Sequence, residues 1–181
     1  MRYYPSKKFI LFTIVFLGIF IGLMGQKNDY FSTAKKKLAN YHPKRSDYVI
    51  VIDYRKSITE KRLYVVDMKS GKNILESRVA HAFKSGVMYP TKYSNQFGSN
   101  TSSKGVFITR GPTISTKFGY AMLIDGLDKG INNNARKREI IFHSDKKMSS
   151  KWSYGCFATP EEINKKLIDL TKNGCLVVVL D

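Results

Sequence analysis

Residues 151–162 read KWSYGCFATPEE and hold Cys156, one of the two cysteines of this 181-residue chain. Gly155 stands directly before the cysteine, where it lets the backbone bend tightly and leaves room beside the sulfur. Directly after it, Thr159, Pro160 and Glu162 form a helix-start pattern: an N-cap, a first-turn proline and a Thr-x-x-Glu capping box. Ile163, Leu167, Ile168 and Leu170 then supply an apolar helix face, and Gly174 a stop signal. From these residues alone Cys156 has three readings: a nucleophile, half of a disulfide with Cys175, or a small buried hydrophobe.

Thirteen positions upstream, His143 ends the apolar segment REIIFH. A strand end and a pre-helix turn can bring a histidine and a cysteine within hydrogen-bond reach. Imidazole then takes the thiol proton and the sulfur attacks a carbonyl. Amides around Gly155 and Cys156 are candidate oxyanion donors. Lys146, Lys147 and Lys151 are positioned to depress the thiol pKa. Cys175 sits in the apolar run GCLVVVL, where burial is the simpler account than a disulfide. The three histidines come with neither C-x-x-C nor H-E-x-x-H, so no metal and no other cofactor is expected.

Outward from this stretch the body reads as mainly β. YVIVIDY (48–54), RLYVVDM (62–68), NILESRVAHA (73–82), GVFITR (105–110), YAMLID (120–125), REIIFH (138–143) and CLVVVL (175–180) carry strand residues bounded by turn signals. Residues 84–105 form a long Gly-, Ser- and Asn-rich loop, and loops of that length in compact domains usually serve function.

The N-terminus has a different character. Arg2, Lys7 and Lys8 precede an apolar run over residues 9–24, which is long for a signal peptide and slightly short for a spanning helix. Residues 1–25 therefore read as a signal anchor or signal peptide that meets the cytoplasmic membrane. Residues 26–46 read as a basic linker and 47–181 as the catalytic body. Net charge is +17 overall. Residues 1–46 hold nine basic and one acidic side chain, a net of +8, which leaves +9 on the body. Export argues against nucleic acid as the anionic partner and points to the cell envelope, periplasmic or extracytoplasmic.

The segment HSDKKMSSKWSYGCFA (143–158) resembles the active-site segment of the murein L,D-transpeptidases, the YkuD-like catalytic domain family. Members carry a histidine, a loop and then Ser/Thr-x-Gly-Cys. Residues 153–158 are similar to a branch with Ser-x-Gly-Cys-x-Ala. EKRLYVVDMKSGK, VAHAFKSG, YSNQFGSNTSSKGVFIT and GLDKGINNNARKREIIFH agree with that branch in order, over most of residues 47–181.

The resemblance implies a mainly β domain, sandwich- or barrel-like, with a C-terminal helix and a final strand. It implies that Cys156 attacks the carbonyl of an L-residue in a peptidoglycan stem peptide and releases the D-residue that follows. A neighbouring amine would resolve the thioester into a cross-link; water would give carboxypeptidase trimming. His143 would be the base, oriented by the Ser144 carbonyl, with Gly155 and Ser153 shaping the turn. Tyr154, Tyr120, Ser103 and His81 are candidates to line the groove. Tyr120 also suits core packing, Ser103 an ordinary turn and His81 a structural hydrogen bond. Most of the superfamily has Arg or Asn two positions after the cysteine, where this chain has Ala158; Arg136 or Arg138 is the candidate replacement for that carboxylate contact. A monomer acting on stem peptides is expected. A sortase-like enzyme would need an arginine after the cysteine and a histidine much further upstream. A non-catalytic wall-binding module would have no need of both Cys156 and His143.

Overall fold

The computed structural model describes residues 29–145 and 152–181. The apolar run at 9–24 and the lysines at 146, 147 and 151 lie outside them. No helix among the described residues is long and apolar enough to cross a membrane.

Among the described residues, ten strands and two α-helices, with a short 3-10 turn at Phe83–Ser85, make a mainly β domain whose principal sheet curls into a nearly closed barrel. In chain order they are α1 (Tyr30–Tyr41), β1 (Tyr48–Asp53), β2 (Leu63–Asp67), β3 (Asn73–Ser77), β4 (His81–Ala82), β5 (Gly105–Ser115), β6 (Gly119–Gly126), β7 (Ile141–Asp145), β8 (Trp152–Ser153), β9 (Phe157–Pro160), α2 (Glu161–Thr171) and β10 (Leu176–Leu180). Eight strands form one sheet in the order β3-β2-β1-β10-β5-β6-β7-β9, and β4 pairs with β8 in a small second sheet. The final strand therefore lies near the middle of the large sheet, parallel to β1 and antiparallel to β5. Both of its faces are covered, which explains why it reads LVVVL with no polar alternation.

Alternation sorts the other strands cleanly. Ile50, Ile52, Phe107, Met122, Ile124, Phe142, Phe157, Val177 and Val179 point to one face and pack with Leu167 and Ile168 of α2. Val49, Val51, Val106, Leu176 and Val178 point to the other, beneath α1.

That first helix occupies residues read from the sequence as linker. Lys35, Lys36 and Lys37 give the stretch a polar look, but Tyr30, Ala34, Leu38 and Tyr41 recur at helical spacing and form the buried stripe. Asp29 caps it by accepting from the Ser32 amide at 2.9 Å. The Tyr30 hydroxyl donates to Asp53 at 2.9 Å, and its ring stacks on Tyr64. Ala34 is fully buried against the sheet. Ala34→Leu is expected to push the helix off its seat and lower stability by about 1–3 kcal/mol in a denaturant titration.

Two further boundaries differ from the sequence reading. NILESRVAHA is two strands, because the buried Arg62 guanidinium takes the Val79 carbonyl at 3.0 and 2.7 Å and draws the chain out of the ladder. The capping box at Thr159 does not form. Thr159 is held in β9 opposite Ser144, so α2 starts after Pro160 with no side-chain cap. The helix ends at Thr171, and the chain then turns through Asn173 and Gly174, both at positive φ.

Candidate active site

The site forms where three strands meet. β7 runs antiparallel to β6 and parallel to β9, with Phe142 opposite Phe157 and His143 opposite Ala158. Phe142 and Phe157 stack in the core. Side chains alternate, so His143 points to the face of the sheet opposite Phe142, and Cys156 lies in the turn immediately before β9, the strand paired with β7.

Local chemistry holds the cysteine turn. Gly155 has φ +127°, and a Cβ there would lie 2.8 Å from Ile140 Cδ1 and 3.0 Å from the Thr101 carbonyl. Both conformation and space demand glycine. The Ser153 hydroxyl donates to the Cys156 carbonyl at 2.8 Å and accepts from the Gly155 amide at 3.1 Å, closing the turn on itself. That Gly155 N–H, a candidate oxyanion donor from sequence, is thus engaged within the turn. Upstream, β8 lies parallel to β4, with Trp152 opposite His81 and Ser153 opposite Ala82. The Trp152 indole donates to Val87 and packs edge-on against Phe83.

His143 is buried to 5% exposure. Its Nδ1 lies 2.9 Å from the Ser144 carbonyl. A carbonyl only accepts, so Nδ1 carries the proton and Nε2 is the basic nitrogen. The Phe118 ring stacks on the imidazole, centroids 3.7 Å apart and planes 17° apart. Lys117, its neighbour at the β5–β6 turn, lies over the Phe118 ring with Nζ 5.2 Å from the centroid. Burial pulls the imidazole pKa down; the Ser144 carbonyl and Asp145 raise it, and Lys117 lowers it further.

The Cys156 thiol donates to the Glu139 carbonyl at 3.4 Å. Burial pushes its pKa up; the Ile141 amide pulls it down, the Glu139 carboxylate adds to the rise, and the charges of Arg138 and Lys117 oppose it. Burial thus moves the two groups in opposite directions, the thiol up and the imidazole down, and each shift favours the neutral form. Both cysteines are free, and Cys175 is fully buried in front of β10.

The remaining candidates take different positions. Ser103 is buried and accepts from Arg138 at 2.6 Å. Tyr154 is 78% exposed beside the cysteine. His81 is fully buried: Arg62 donates to its Nδ1 at 2.8 Å, and its Nε2 donates to the Gly86 carbonyl at 2.9 Å. Both nitrogens are used, and burial, with the Arg62 charge adding to it and the Gly86 carbonyl opposing it, lowers its pKa to about 4. Tyr120 links β6 to α2 through Asp169 at 3.0 Å. Arg136 pairs with Asp125, which Arg110 shares. Phe118 and Lys117 were not anticipated from sequence; only the β6–β7 register brings them to a histidine 25 and 26 positions away. Among the described residues no cluster of His, Cys, Asp and Glu is arranged to hold a metal ion.

The family model for the L,D-transpeptidase catalytic domain matches residues 24–180. No curated protein matches. Among solved structures, the helical cell shape determining protein Pgp2 from Campylobacter jejuni aligns with 73% of this chain and 46% of its own at 11% identity and a TM-score of 0.50, a likeness of fold. An L,D-transpeptidase from Stackebrandtia nassauensis aligns over 76% of this chain and 57% of its own, with 18% identity and a TM-score of 0.47. The catalytic domain of the E. faecium L,D-transpeptidase aligns over 76% and 99%, with 15% identity and a TM-score of 0.46. The chain spans about half the length of the first two. With the family model matched from residue 24 to residue 180, the chain belongs to the L,D-transpeptidase catalytic domain family.

Proposed function

We propose that this chain is a peptidoglycan L,D-transpeptidase working through a cysteinyl thioester on Cys156. The observation that supports the reading is the bond from His143 Nδ1 to the Ser144 carbonyl, which leaves Nε2 as the basic nitrogen, on the strand paired with the one that Cys156 leads into. In the first half-reaction Nε2 takes the thiol proton as sulfur bonds to the carbonyl carbon of an L-residue in a stem peptide. The C–N bond to the following D-residue then breaks, and the imidazolium returns its proton to the departing amine. In the second half-reaction an amine of a neighbouring stem attacks the thioester, gives its proton to His143, and expels the thiolate, which is reprotonated. A neutral resting pair suits this sequence, since the base is unprotonated when substrate arrives. The substrate implies a location in the cell envelope, with residues 9–24 as the export signal or anchor.

The test is to incubate the full chain with purified peptidoglycan and weigh the digested products. New L,D cross-links are expected. Shortened stems alone would assign the second step to water. If Cys156→Ala made the same products as the parent, the reading would fail.

A further inference from the structure

Arg138 stands just before β7 and is half-buried. Its Nη1 donates to the Ser94 carbonyl and to the Ser103 hydroxyl at 2.6 Å; its Nη2 donates to the Thr101 carbonyl at 2.6 Å and to Ser99 at 3.2 Å. All four partners are neutral oxygens, and among the described residues Arg138 joins no ion pair. Its neighbour Arg136 differs, being matched to Asp125. Burying a guanidinium against neutral partners is costly unless an anion forms nearby. What lies nearby is the nucleophile turn: a Cβ on Gly155 would sit 3.6 Å from Arg138 Nη2. Burial lowers the pKa of this guanidinium, and a negative charge on Cys156 would raise it.

We propose that Arg138 is a positioning residue with an electrostatic task. It holds loop 94–103 behind the cysteine turn and supplies the positive charge that balances the sulfur when it becomes anionic. The inference rests on Cys156 being the nucleophile. Its physical logic is separate. The four hydrogen bonds fix the guanidinium in place, so the field at the sulfur needs no reorganisation during reaction. The other groups that bear on the sulfur divide by sign. Lys117 from the β5–β6 turn adds to the effect, Glu139 opposes it, His143 exchanges the proton, and the buried Tyr54 hydroxyl stays neutral, its pKa pushed up to about 12.

Alkylation of the thiol reads this field without any turnover. The full chain would be treated with neutral iodoacetamide and with anionic iodoacetate across a pH series, and labelling quantified by mass on the peptide bearing Cys156. Cys175 is fully buried and is counted on its own peptide. The parent should favour iodoacetate more than a small-molecule thiol does, and added salt should erode that preference. Arg138→Gln, which keeps hydrogen bonding and removes charge, should slow iodoacetamide labelling at pH 8 about tenfold, one pK unit's worth. It should also abolish the iodoacetate preference. Arg138→Lys should retain much of the preference. An unchanged rate and an unchanged reagent ratio in a folded Arg138→Gln variant would overturn the proposal. If that variant does not fold, a parent ratio equal to that of the free thiol and insensitive to salt would overturn it instead. Should Cys156→Ala abolish cross-linking while Arg138→Gln leaves labelling untouched, only the role of Arg138 fails.

Discussion

His143→Gln is expected to lower turnover on peptidoglycan by about 10³-fold or more near neutral pH, in line with the loss of a base that acts as a unit with its nucleophile. The shape of the residual activity is as informative as its size. In the parent, burial lowers the imidazole pKa and raises the thiol pKa. On the proposed mechanism the competent form is neutral imidazole with neutral thiol. It persists as pH falls below 6.5, the ordinary histidine value, and is lost only through the lower folded pKa. At the alkaline end it persists beyond the ordinary thiol range. A broad plateau of kcat/KM is therefore expected, wider than the reference values of the two groups would give. In His143→Gln nothing removes the proton, so attack requires thiolate from solvent exchange. Residual turnover should then climb about tenfold per pH unit through neutrality. A flat profile in the variant would show that the histidine is not the base. A pre-formed ion pair predicts something different: rapid alkylation of Cys156 well below pH 7.

The second large effect belongs to Gly155. Gly155→Ala places a methyl group 2.8 Å from Ile140 Cδ1 and 3.0 Å from the Thr101 carbonyl, at a φ of +127°. The side chain of Ile140 can give; a backbone carbonyl held to Arg138 cannot give as easily. Conformational strain alone is worth about 1–3 kcal/mol, and the contacts add to it. Displacing the turn by even about 1 Å should reduce turnover about 10²-fold, since Ser153, Cys156 and the strand register move together. Gly98→Ala is the matched control. Its φ is +71°, with nothing within 4 Å of a new Cβ, so it carries strain without collision. It should cost about 1 kcal/mol in unfolding and leave turnover unchanged. Equal losses of turnover in the two variants would show that the space at Gly155 plays no special part.

The comparison of sequence with structure divides along physical lines. Segments with strong β patterns, such as YVIVID and LVVVL, could be read directly because burial on one or both faces leaves a pattern. Cys156 and His143 could be singled out as candidates because glycine, cysteine and histidine are unusual residues at telling positions. What escaped notice depends on packing between distant parts. The α1 stripe at Tyr30, Ala34, Leu38 and Tyr41 was masked by the lysines on its exposed side. Strands β8 and β9 are short, with 2 and 4 residues, and exist only because β4 and β7 lie alongside. The Thr159 cap was legible as a pattern yet lost to a competing ladder bond, a tertiary override of a local preference. Arg138 carried a faint signal, a cation opening an otherwise apolar strand segment, but its loop partners at Ser94, Ser99, Thr101 and Ser103 are visible only in three dimensions.

The most direct measurement is the mass of the intact chain during reaction with a peptidoglycan stem peptide ending in a D-residue. The account predicts a transient adduct equal to the stem less its terminal D-residue, mapping to the peptide that holds Cys156 and absent from Cys156→Ala. Cross-linked product formed without that adduct, or with an adduct that maps elsewhere, would contradict it.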